Sequence, residues 1–275
     1  MSRMTGQVAL ITGGGGEIGT AIALRLASEG AAVVPADLNL DKAESTVQKV
    51  RAVGGQALAI ELDVSSPESC QNAVRTAVAA FGKLTCLVNV AATATPDGTV
   101  ETLSLAEWND AFQVNLTGAF LMCKYSVPEM REAGGGSIVN VASQLGHLGV
   151  QHRAPYCTTK AALIFFTRIL AQDHAADNIR ANSISPGFIL TESSSKRVGG
   201  KDKARVINGP RHLLNRPGEP VEIAAGAAFL ASPDSSFVTG TDLLIDGGYV
   251  TFKGSMTPEG KTIMVTATTP NPVNP

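Results

Sequence analysis

The sequence has few aromatic residues and few cysteines, and its positive and negative charges nearly balance. Its 22 lysine and arginine residues nearly balance 24 aspartate and glutamate residues, which leaves a net charge of −2. Proteins that follow nucleic-acid phosphates need a strong basic excess, so this balance argues against a nucleic-acid partner. Charged residues make up 17% of the chain and hydrophobic residues 44%, which excludes a disordered composition and provides enough apolar material for a core.

Cysteine and histidine are scarce and scattered, with four of each in the chain. The cysteines form no Cys-x-x-Cys pair and no histidine lies at a metal-ligand spacing from them, so we expect neither disulfide bonds nor a metal site. The first apolar run, Val8–Ile11, is too short for a signal peptide, and no later run is long enough to span a membrane. These absences predict a cytoplasmic protein without a membrane partner.

Short apolar runs rich in β-branched residues recur along the chain, and segments long enough for helices separate most of them. The predicted strands are Val8–Ile11, Ala32–Ala36, Ala57–Leu62, Cys86–Val90, Ser137–Val141, Ile179–Ile184 and Leu243–Ile245. Alternating strands and helices build an α/β fold with a parallel sheet covered on both faces, because parallel neighbours need a crossover connection. Pro35 interrupts the second run. Since proline cannot donate a ladder hydrogen bond, we expect pairing of that strand to end at Val34.

Several predicted helices begin with residues that cap helix N-termini. The matching sites are Ser66 before Pro67, Ser104 with Glu107, and Asp41 with Glu44. No internal repeat, low-complexity tract or linker interrupts the alternation before the last residues of the chain.

The first predicted strand runs directly into Thr12-Gly13-Gly14-Gly15-Gly16-Glu17-Ile18-Gly19, and a helical pattern follows. Glycines at such a turn let backbone amides approach a diphosphate placed over the positive end of the helix. The run fits two registers, Gly14-x-Gly16-x-x-Gly19 and Gly13-x-x-x-Glu17-x-Gly19. A glycine run alone is also typical of a flexible turn, but its position between a strand and a helix favours a dinucleotide site.

Asp37 ends the second predicted strand, 18 residues beyond Gly19. A carboxylate at this point can accept hydrogen bonds from the ribose hydroxyls of NAD and would repel the 2′-phosphate of NADP. No arginine occurs in the glycine loop or between residues 36 and 39. The sequence therefore favours NAD.

Tyr156 and Lys160 are four positions apart in a helical segment, so their side chains share one face. An ammonium beside a phenol favours the phenolate. This matters because an unperturbed tyrosine, with a pKa of about 10, is a poor base at neutral pH. The spacing alone is also typical of an amphipathic surface pair.

The pair is preceded by Ser143 and Asn115, and further motifs occur in a fixed order. They are the Thr12–Gly19 loop, Asp37, Asp63-Val64, Asn89-Val90-Ala91-Ala92, Asn115, Ser143, Tyr156-Cys157-Thr158-Thr159-Lys160, Pro186-Gly187-Phe188-Ile189-Leu190-Thr191 and Asp246-Gly247-Gly248. From about Gly6 to Tyr249 the chain resembles the classical short-chain dehydrogenase/reductase family. The resemblance implies a single-domain, Rossmann-like, doubly wound parallel sheet of about seven strands.

The resemblance also implies a catalytic group of Asn115, Ser143, Tyr156 and Lys160. Tyr156 would carry the proton of a secondary alcohol, and Ser143 would hydrogen-bond the reacting oxygen. Lys160 would lower the pKa of Tyr156 and bind the nicotinamide ribose, while Asn115 would hold a water linking Lys160 to solvent. Hydride would pass directly between substrate and nicotinamide.

Cofactor contacts are implied at the matching positions, with Asp63 and Val64 beside the adenine. The full set is Gly13, Gly16, Glu17, Ile18, Asp37, Leu38, Asp63, Val64, Asn89, Ala91, Tyr156, Lys160, Pro186, Ile189 and Thr191. The sequence departs from the family pattern at four positions, namely Glu17 for the middle glycine, Val90 and Ala92 for Asn and Gly, and Thr159 for Ser. The charge of Glu17 could weaken cofactor binding or redirect the loop.

The chain is therefore expected to be an NAD-dependent oxidoreductase acting on a secondary alcohol or ketone. Polyols, sugars, dihydrodiols and anionic hydroxy compounds all suit such a scaffold. The residues expected to line the substrate site are Gln144, Gln151, His152 and Phe188. Two alternatives are a 3-oxoacyl carrier-protein reductase, which usually uses NADP, and a non-catalytic NAD-sensing protein. An enoyl reductase would show a wider spacing than that of Tyr156 and Lys160.

Three further expectations concern the surface and the chain end. The segment Thr191–Arg216, which the family resemblance implies is a mobile lid over the substrate, carries seven Lys and Arg against two Asp and Glu, and this excess could attract an anionic substrate. It is also typical of a solvated surface segment. The helix with Lys160 is apolar around much of its circumference, which predicts a homotetramer or a homodimer. Residues 1–249 form the predicted catalytic domain, and residues 250–275 an extension that is either disordered or packed on a neighbouring subunit.

Overall fold

A computed structural model describes residues 2–251, 255–256 and 262–263. Seven strands in it form one parallel sheet: β1 Val8–Thr12, β2 Ala32–Asp37, β3 Ile60–Glu61, β4 Cys86–Asn89, β5 Gly136–Val141, β6 Ile179–Pro186 and β7 Asp242–Ile245. Their order is β3-β2-β1-β4-β5-β6-β7. The chain thus reverses direction across the sheet between β1 and β4, the point at which doubly wound sheets bind ligands. All seven predicted strands are confirmed, although β3 is shorter than expected.

Nine helices are described beside the sheet: α1 Glu17–Ser28, α2 Leu40–Ala52, α3 Pro67–Phe81, α4 Leu105–Phe112, α5 Gly118–Glu132, α6 Ala154–Asp173, α7 Glu192–Lys196, α8 Lys201–Asn208 and α9 Pro220–Ala231. A π turn, Gln113–Thr117, joins α4 to α5. Alternate residues of β1 point to opposite faces. Ala9 and Ile11 pack in a core with α1, α2 and α9, whereas Val8 and Leu10 pack in a core with α3, α5 and the end of α6. The predicted covering of both faces is confirmed.

Pairing of β2 does not end at Val34 as expected, because the strand continues through Pro35, which aligns with Ile11 of β1. The N–H of Val33 points away from β1 and donates to the carbonyl of Gln56. The nitrogen of Pro35, two residues further on, faces the same way, toward the side where β3 has not yet begun. The proline therefore removes no hydrogen bond from the β1 ladder.

Helix caps agree with the sequence at two of the three predicted sites. Ser66 accepts from the N–H of Ser69 with Pro67 in the first turn, and Ser104 forms a capping box with Glu107. The Asp41 and Glu44 box is wrong, because the cap lies two residues earlier, at Asn39, which accepts from the N–H of Lys42, and α2 begins at Leu40. Asn caps as well as Asp and lies nearer to the end of β2.

All four cysteines are free, as predicted. Across the described parts of the chain no helix has the length and apolarity of a membrane span. A short antiparallel pair, β8 Ser255–Met256 with β9 Thr262–Ile263, follows the sheet. Most of the predicted extension, residues 250–275, lies outside the described residues.

Candidate active site

The glycine loop is packed so closely that four of its glycines, Gly13, Gly14, Gly15 and Gly19, leave little or no room for a side chain. A Cβ on Gly19 would lie 2.2 Å from the carbonyl oxygen of Gly13. Gly13 has a φ of +63°, and a Cβ there would lie 3.0 Å from the backbone of Ala91. A Cβ on Gly16 would meet nothing closer than 3.4 Å. Gly14, a glycine of the other register, leaves no room either, because a Cβ there would lie 2.7 Å from Pro35 Cα, so the steric requirement holds for a glycine of each register and for Gly19, which both share.

The end of β1 is tied to the loop after β4. Thr12 Oγ1 accepts hydrogen bonds from the N–H groups of Val90 and Ala91, both at 3.1 Å. These bonds fix the two sides of the crevice at the switch point. Val90 is one of the two departures from the family pattern in this loop, so its backbone bond to Thr12 forms without the family's Asn side chain.

Asp37 ends β2 beside the glycine loop. One carboxylate oxygen accepts from the N–H of Gly15 at 3.0 Å, and the other accepts from the N–H of Asn39 at 3.1 Å. Each oxygen keeps a lone pair for a ribose hydroxyl. Leu38, 70% exposed, lines a groove with Asp63 at the ends of β2 and β3. A groove with an apolar side chain on one wall suits a flat base.

Asp63 and Val64 shape the far end of this groove. The Asp63 carboxylate accepts from the N–H and hydroxyl of Ser65 at 2.9 and 2.6 Å, which fixes the turn. Val64 is buried beneath α5, where a Cβ on Gly118 would lie 2.8 Å from its side chain. The small residue at 118 lets α5 approach this turn closely.

Asn89, at the end of β4, begins a chain of buried hydrogen bonds. Its side-chain nitrogen donates to Asn140 Oδ1 at 2.8 Å, Asn140 Nδ2 donates to Thr167 Oγ1 at 2.9 Å, and Thr167 Oγ1 donates to the carbonyl of Leu163 at 2.7 Å. The remaining oxygen, Asn89 Oδ1, is buried without a hydrogen-bond partner among the described residues. An acceptor left free at the end of β4 fits a bound donor at the crevice.

Lys160 is buried in α6, and its Nζ donates to the carbonyl of Val141 at 2.8 Å and lies 5.8 Å from the centre of the Tyr156 ring. Burial lowers the pKa of Lys160 to about 8. Ser143 follows β5 and its hydroxyl accepts from the N–H of Leu145 at 3.1 Å, which orients it at the start of a short 3-10 turn.

Tyr156 differs from the expectation in one respect, because its pKa is raised. Burial is the main cause, and hydrogen bonding with Ser143 and the charges of Arg153 and Arg197 oppose it. The ammonium of Lys160 is directed at the Val141 carbonyl. The arrangement holds the phenol protonated at neutral pH, which suits a group that must donate as well as accept a proton.

Asn115 lies in the π turn, and an inserted residue of this kind is common at functional sites. Its Oδ1 accepts from the N–H of Thr93 at 2.8 Å and its Nδ2 donates to Thr159 Oγ1 at 3.5 Å. The side chain thus joins the loop after β4 to α6. Thr159, which precedes Lys160 where the family pattern has Ser, accepts this hydrogen bond through its hydroxyl.

The predicted cofactor residues after β6 lie at the start of the lid. Pro186 ends β6, Ile189 is buried, and Thr191 caps α7 by accepting from the N–H of Ser194 at 3.1 Å. Ile18, in the first turn of α1, packs against the core that contains α1, α2 and α9. These positions surround the same edge of the sheet as Thr12, because all strands are parallel and their carboxyl ends coincide.

The four predicted substrate residues divide into two pairs. Gln144 is buried beside Ser143, and its Oε1 has no hydrogen-bond partner in the described part of the chain, while Phe188 is half-buried at the base of the lid. Gln151 and His152 are both exposed. The carbonyl of His152 accepts from a neighbouring loop, so its backbone rather than its imidazole has the clearer role.

Two arginines near Tyr156 were not predicted. The guanidinium of Arg153 lies 5.3 Å from the Tyr156 ring centre and pairs with Asp97 at 2.8 Å. Arg197, in the lid, donates to the carbonyl of Thr95 at 3.3 Å. The sequence could have predicted Arg153 near Tyr156, because side chains three positions apart on a helix are neighbours. It could not have predicted Arg197, because the contact of Arg197 crosses the crevice.

The comparisons with known proteins agree with this geometry. A family model described as enoyl-(acyl carrier protein) reductase matches residues 15–250. A 2,5-dichloro-2,5-cyclohexadiene-1,4-diol dehydrogenase of Sphingobium indicum is 41% identical over 90% of this chain and 98% of that protein. The chain belongs to the short-chain dehydrogenase/reductase family. It is an oxidoreductase of that family, as the motifs predicted.

Two other family members extend the comparison. A cyclohexanol dehydrogenase of an Acinetobacter species is 38% identical over 90% of this chain and 96% of its own. The solved structure of a 7α-hydroxysteroid dehydrogenase, in complex with NADH and 7-oxo glycochenodeoxycholic acid, is 34% identical with a TM-score of 0.83 over 90% of this chain and 95% of that one. A nicotinamide cofactor fits the residues present, since the glycine loop is bonded to Asp37 through the Gly15 N–H, and Asn89, which aligns with Thr12 at the end of β4, keeps a buried acceptor that no described residue satisfies.

Proposed function

We propose that this chain is an NAD-dependent dehydrogenase that interconverts a secondary alcohol and a ketone, with Tyr156 as the general acid and base. The observation that carries the proposal is the placement of Ser143, Tyr156 and Lys160 at the end of β5, beside the glycine crevice. A binding protein has no need for a buried lysine whose pKa is lowered to about 8 beside a phenol.

In oxidation, the Tyr156 oxygen, once it has lost its own proton, accepts the alcohol proton while Ser143 donates a hydrogen bond to the alcohol oxygen. The bound nicotinamide supplies the hydride acceptor. Lys160, with a pKa near neutrality, passes the proton on, and Asn115 holds the loop after β4 against α6. Gln144, with a free acceptor next to Ser143, is placed to orient a second substrate hydroxyl.

NAD is the proposed cofactor. The carboxylate of Asp37 is held by the N–H groups of Gly15 and Asn39, so it cannot easily turn away from a 2′-phosphate. Asp37→Ala should raise the KM for NAD and reduce the preference for NAD over NADP, which steady-state kinetics with both cofactors measures. An unchanged ratio would contradict the proposal. The same argument disfavours the alternative of an NADP-linked 3-oxoacyl carrier-protein reductase.

A compact cyclic or vicinal secondary alcohol is the proposed substrate. The relatives named for a cyclohexadienediol and for cyclohexanol support this class. The positive charge of the lid gives less support for an anionic substrate in the structure than it did in the sequence. Lys201, Arg205 and Arg216 all pair with carboxylates, and the partners Glu17, Glu219 and Glu222 lie outside the lid.

A homotetramer or homodimer is proposed from the outer face of α5 and α6. Phe120, Phe165 and Ile169 are 47%, 60% and 39% exposed and line one apolar groove. Such a face is costly to leave in water. Light scattering should give a mass of two or four chains, and a monomer mass would contradict this. The four free cysteines support a location in the reducing cytoplasm.

The central test is Tyr156→Phe, which keeps the ring and removes the proton carrier. With NAD and a panel of cyclohexanols and cyclic diols, turnover should fall at least about 100-fold, the usual range for removing a general acid or base. NADH binding should stay within about twofold. Turnover at the wild-type rate would overturn the mechanism, and NADH binding without turnover by the wild type would favour the NAD-sensing alternative.

A further inference from the structure

Glu17 stands where the family pattern has its middle glycine, at the first residue of α1. A carboxylate at a helix N-terminus is favourable with respect to the helix dipole. The same place is the expected site of the cofactor diphosphate, so the charge of Glu17 should oppose cofactor binding unless another group neutralises it. The structure provides such a group from the lid.

The carboxylate of Glu17 makes two contacts across the crevice. Its Oε2 accepts from the N–H of Glu192 at 2.6 Å, and its Oε1 lies 3.6 Å from Lys201 Nζ. Lys201 also pairs with Glu192 at 2.9 Å. This pair raises the pKa of Lys201 and lowers that of Glu192, so both stay charged at neutral pH. We call these three residues the lid clasp.

The lid clasp is connected to the expected cofactor site along the backbone. Glu192 directly follows Thr191, which caps α7 and is expected to meet the nicotinamide. The bond from the N–H of Glu192 to Glu17 therefore fixes the backbone beside Thr191 relative to the glycine loop. At the same time closure brings the ammonium of Lys201 to the entrance of the diphosphate site.

We propose that Glu17 is a positioning residue that couples cofactor binding to closure of the lid. With the lid open, Glu17 faces the diphosphate as an unpaired negative charge. With the lid closed, the N–H of Glu192 donates to Glu17, and the ammonium of Lys201, which also pairs with Glu192, lies 3.6 Å from it. A bound dinucleotide therefore favours the closed lid, and by reciprocity the closed lid favours the dinucleotide. The inference rests on the proposed function only in taking a nicotinamide dinucleotide as the ligand.

The first experiment measures NADH binding by its fluorescence at low ionic strength, where exposed charges are least screened. Lys201→Met should raise the Kd for NADH about fivefold, because Glu17 is left unpaired beside the diphosphate. Adding Glu17→Gly to that variant should return the Kd to within about twofold of the wild type. The matched control is Lys203→Met, which removes an exposed lysine of the same helix that lies near Gly199 and should leave the Kd unchanged.

The second experiment follows thermolysin cleavage within residues 191–216 of the full chain, with and without NADH, since cleavage of a folded segment reports its opening. NADH should protect the wild-type lid about fivefold. In Glu17→Gly the free protein should be cleaved faster and protection should fall below about twofold. Glu17→Gln keeps the acceptor for the Glu192 N–H but loses the charge. It should therefore bring the cleavage rate of the free protein closer to the wild-type value than it brings the protection by NADH.

Equal effects of Lys201→Met and Lys203→Met, a double variant that fails to recover NADH affinity, or full protection in Glu17→Gly would each overturn the proposal. Neither readout needs turnover, so loss of the proposed catalytic activity would leave the lid clasp standing. If the wild type binds NADPH but not NADH, the cofactor proposal fails, and the same measurements with NADPH still decide whether Glu17 couples the two events.

Discussion

The active-site floor and the lid face each other across the crevice, but different interactions hold them. The floor consists of the ends of β1, β4 and β5 with α6, and its polar groups are buried and joined by uncharged hydrogen bonds such as Asn89 to Asn140. The lid, Thr191–Arg216, is joined to the rest of the protein in part by exposed ion pairs, such as Arg205 to Glu219 and Arg216 to Glu222.

These two kinds of interaction differ in what their loss costs. A buried polar group without its partner costs about 1–3 kcal/mol, whereas an exposed ion pair contributes about 0–1 kcal/mol. The floor is therefore expected to keep one geometry, while the lid can open at low cost. An enzyme that must exchange cofactor and substrate needs this division, and each prediction below tests one side of it.

The largest expected effect is at Lys160, the charged group of the floor. Lys160→Met removes the ammonium that bonds to the Val141 carbonyl. Turnover of a secondary alcohol should fall at least about 100-fold, because proton transfer through the phenol loses its partner. Thermal unfolding should show no loss of stability, since a buried charge costs free energy. Lys124→Met, at an exposed position on α5, is the control, and equal turnover in both variants would refute the prediction.

The next effect concerns the uncharged network. Asn140→Ala leaves Asn89 Nδ2 with only the weak acceptor Cys123 Sγ, at 3.6 Å, and leaves Thr167 without its donor, both in the interior. The free energy of unfolding should fall by about 2–3 kcal/mol. Urea denaturation measures it against Ser126→Ala, which removes a buried hydroxyl that has no partner in the described structure. The control should cost under about 1 kcal/mol, and equal losses would mean that packing alone stabilises the floor.

The motifs predicted the floor better than the lid, and for a physical reason. Strands, glycine turns and the Tyr156 helix depend on local pattern, which the sequence displays. The extent of β2 past Pro35 depended on a neighbour, β3, whose start the pattern did not fix. The contacts of Glu17 and Arg197 cross the crevice between residues far apart in sequence, so composition gave only the charge of the lid and not its partners.

A smaller effect is the pH dependence of stability contributed by Lys160. Its pKa falls from 10.5 to about 8 on folding, so between these values the unfolded chain binds a proton that the folded chain has lost. The free energy of unfolding therefore rises with pH across this window. From pH 7.5 to 9.5, wild type should gain about 1–2 kcal/mol relative to Lys160→Met in thermal melts. Parallel pH profiles for the two proteins would show that the pKa is not lowered.

The smallest effect is expected in the lid. Arg216 pairs with Glu222 of α9 at 2.6 Å, and both side chains are substantially exposed. Arg216→Met should lower the free energy of unfolding by under about 1 kcal/mol, and raising the salt concentration to 0.5 M should reduce the difference further because exposed charges are screened. Thermolysin cleavage of the lid should nevertheless increase, since local opening depends on such pairs more than global unfolding does. If the variant instead lost as much stability as Asn140→Ala, the lid would unfold together with the floor, and the two regions would not differ in the way that their interactions imply.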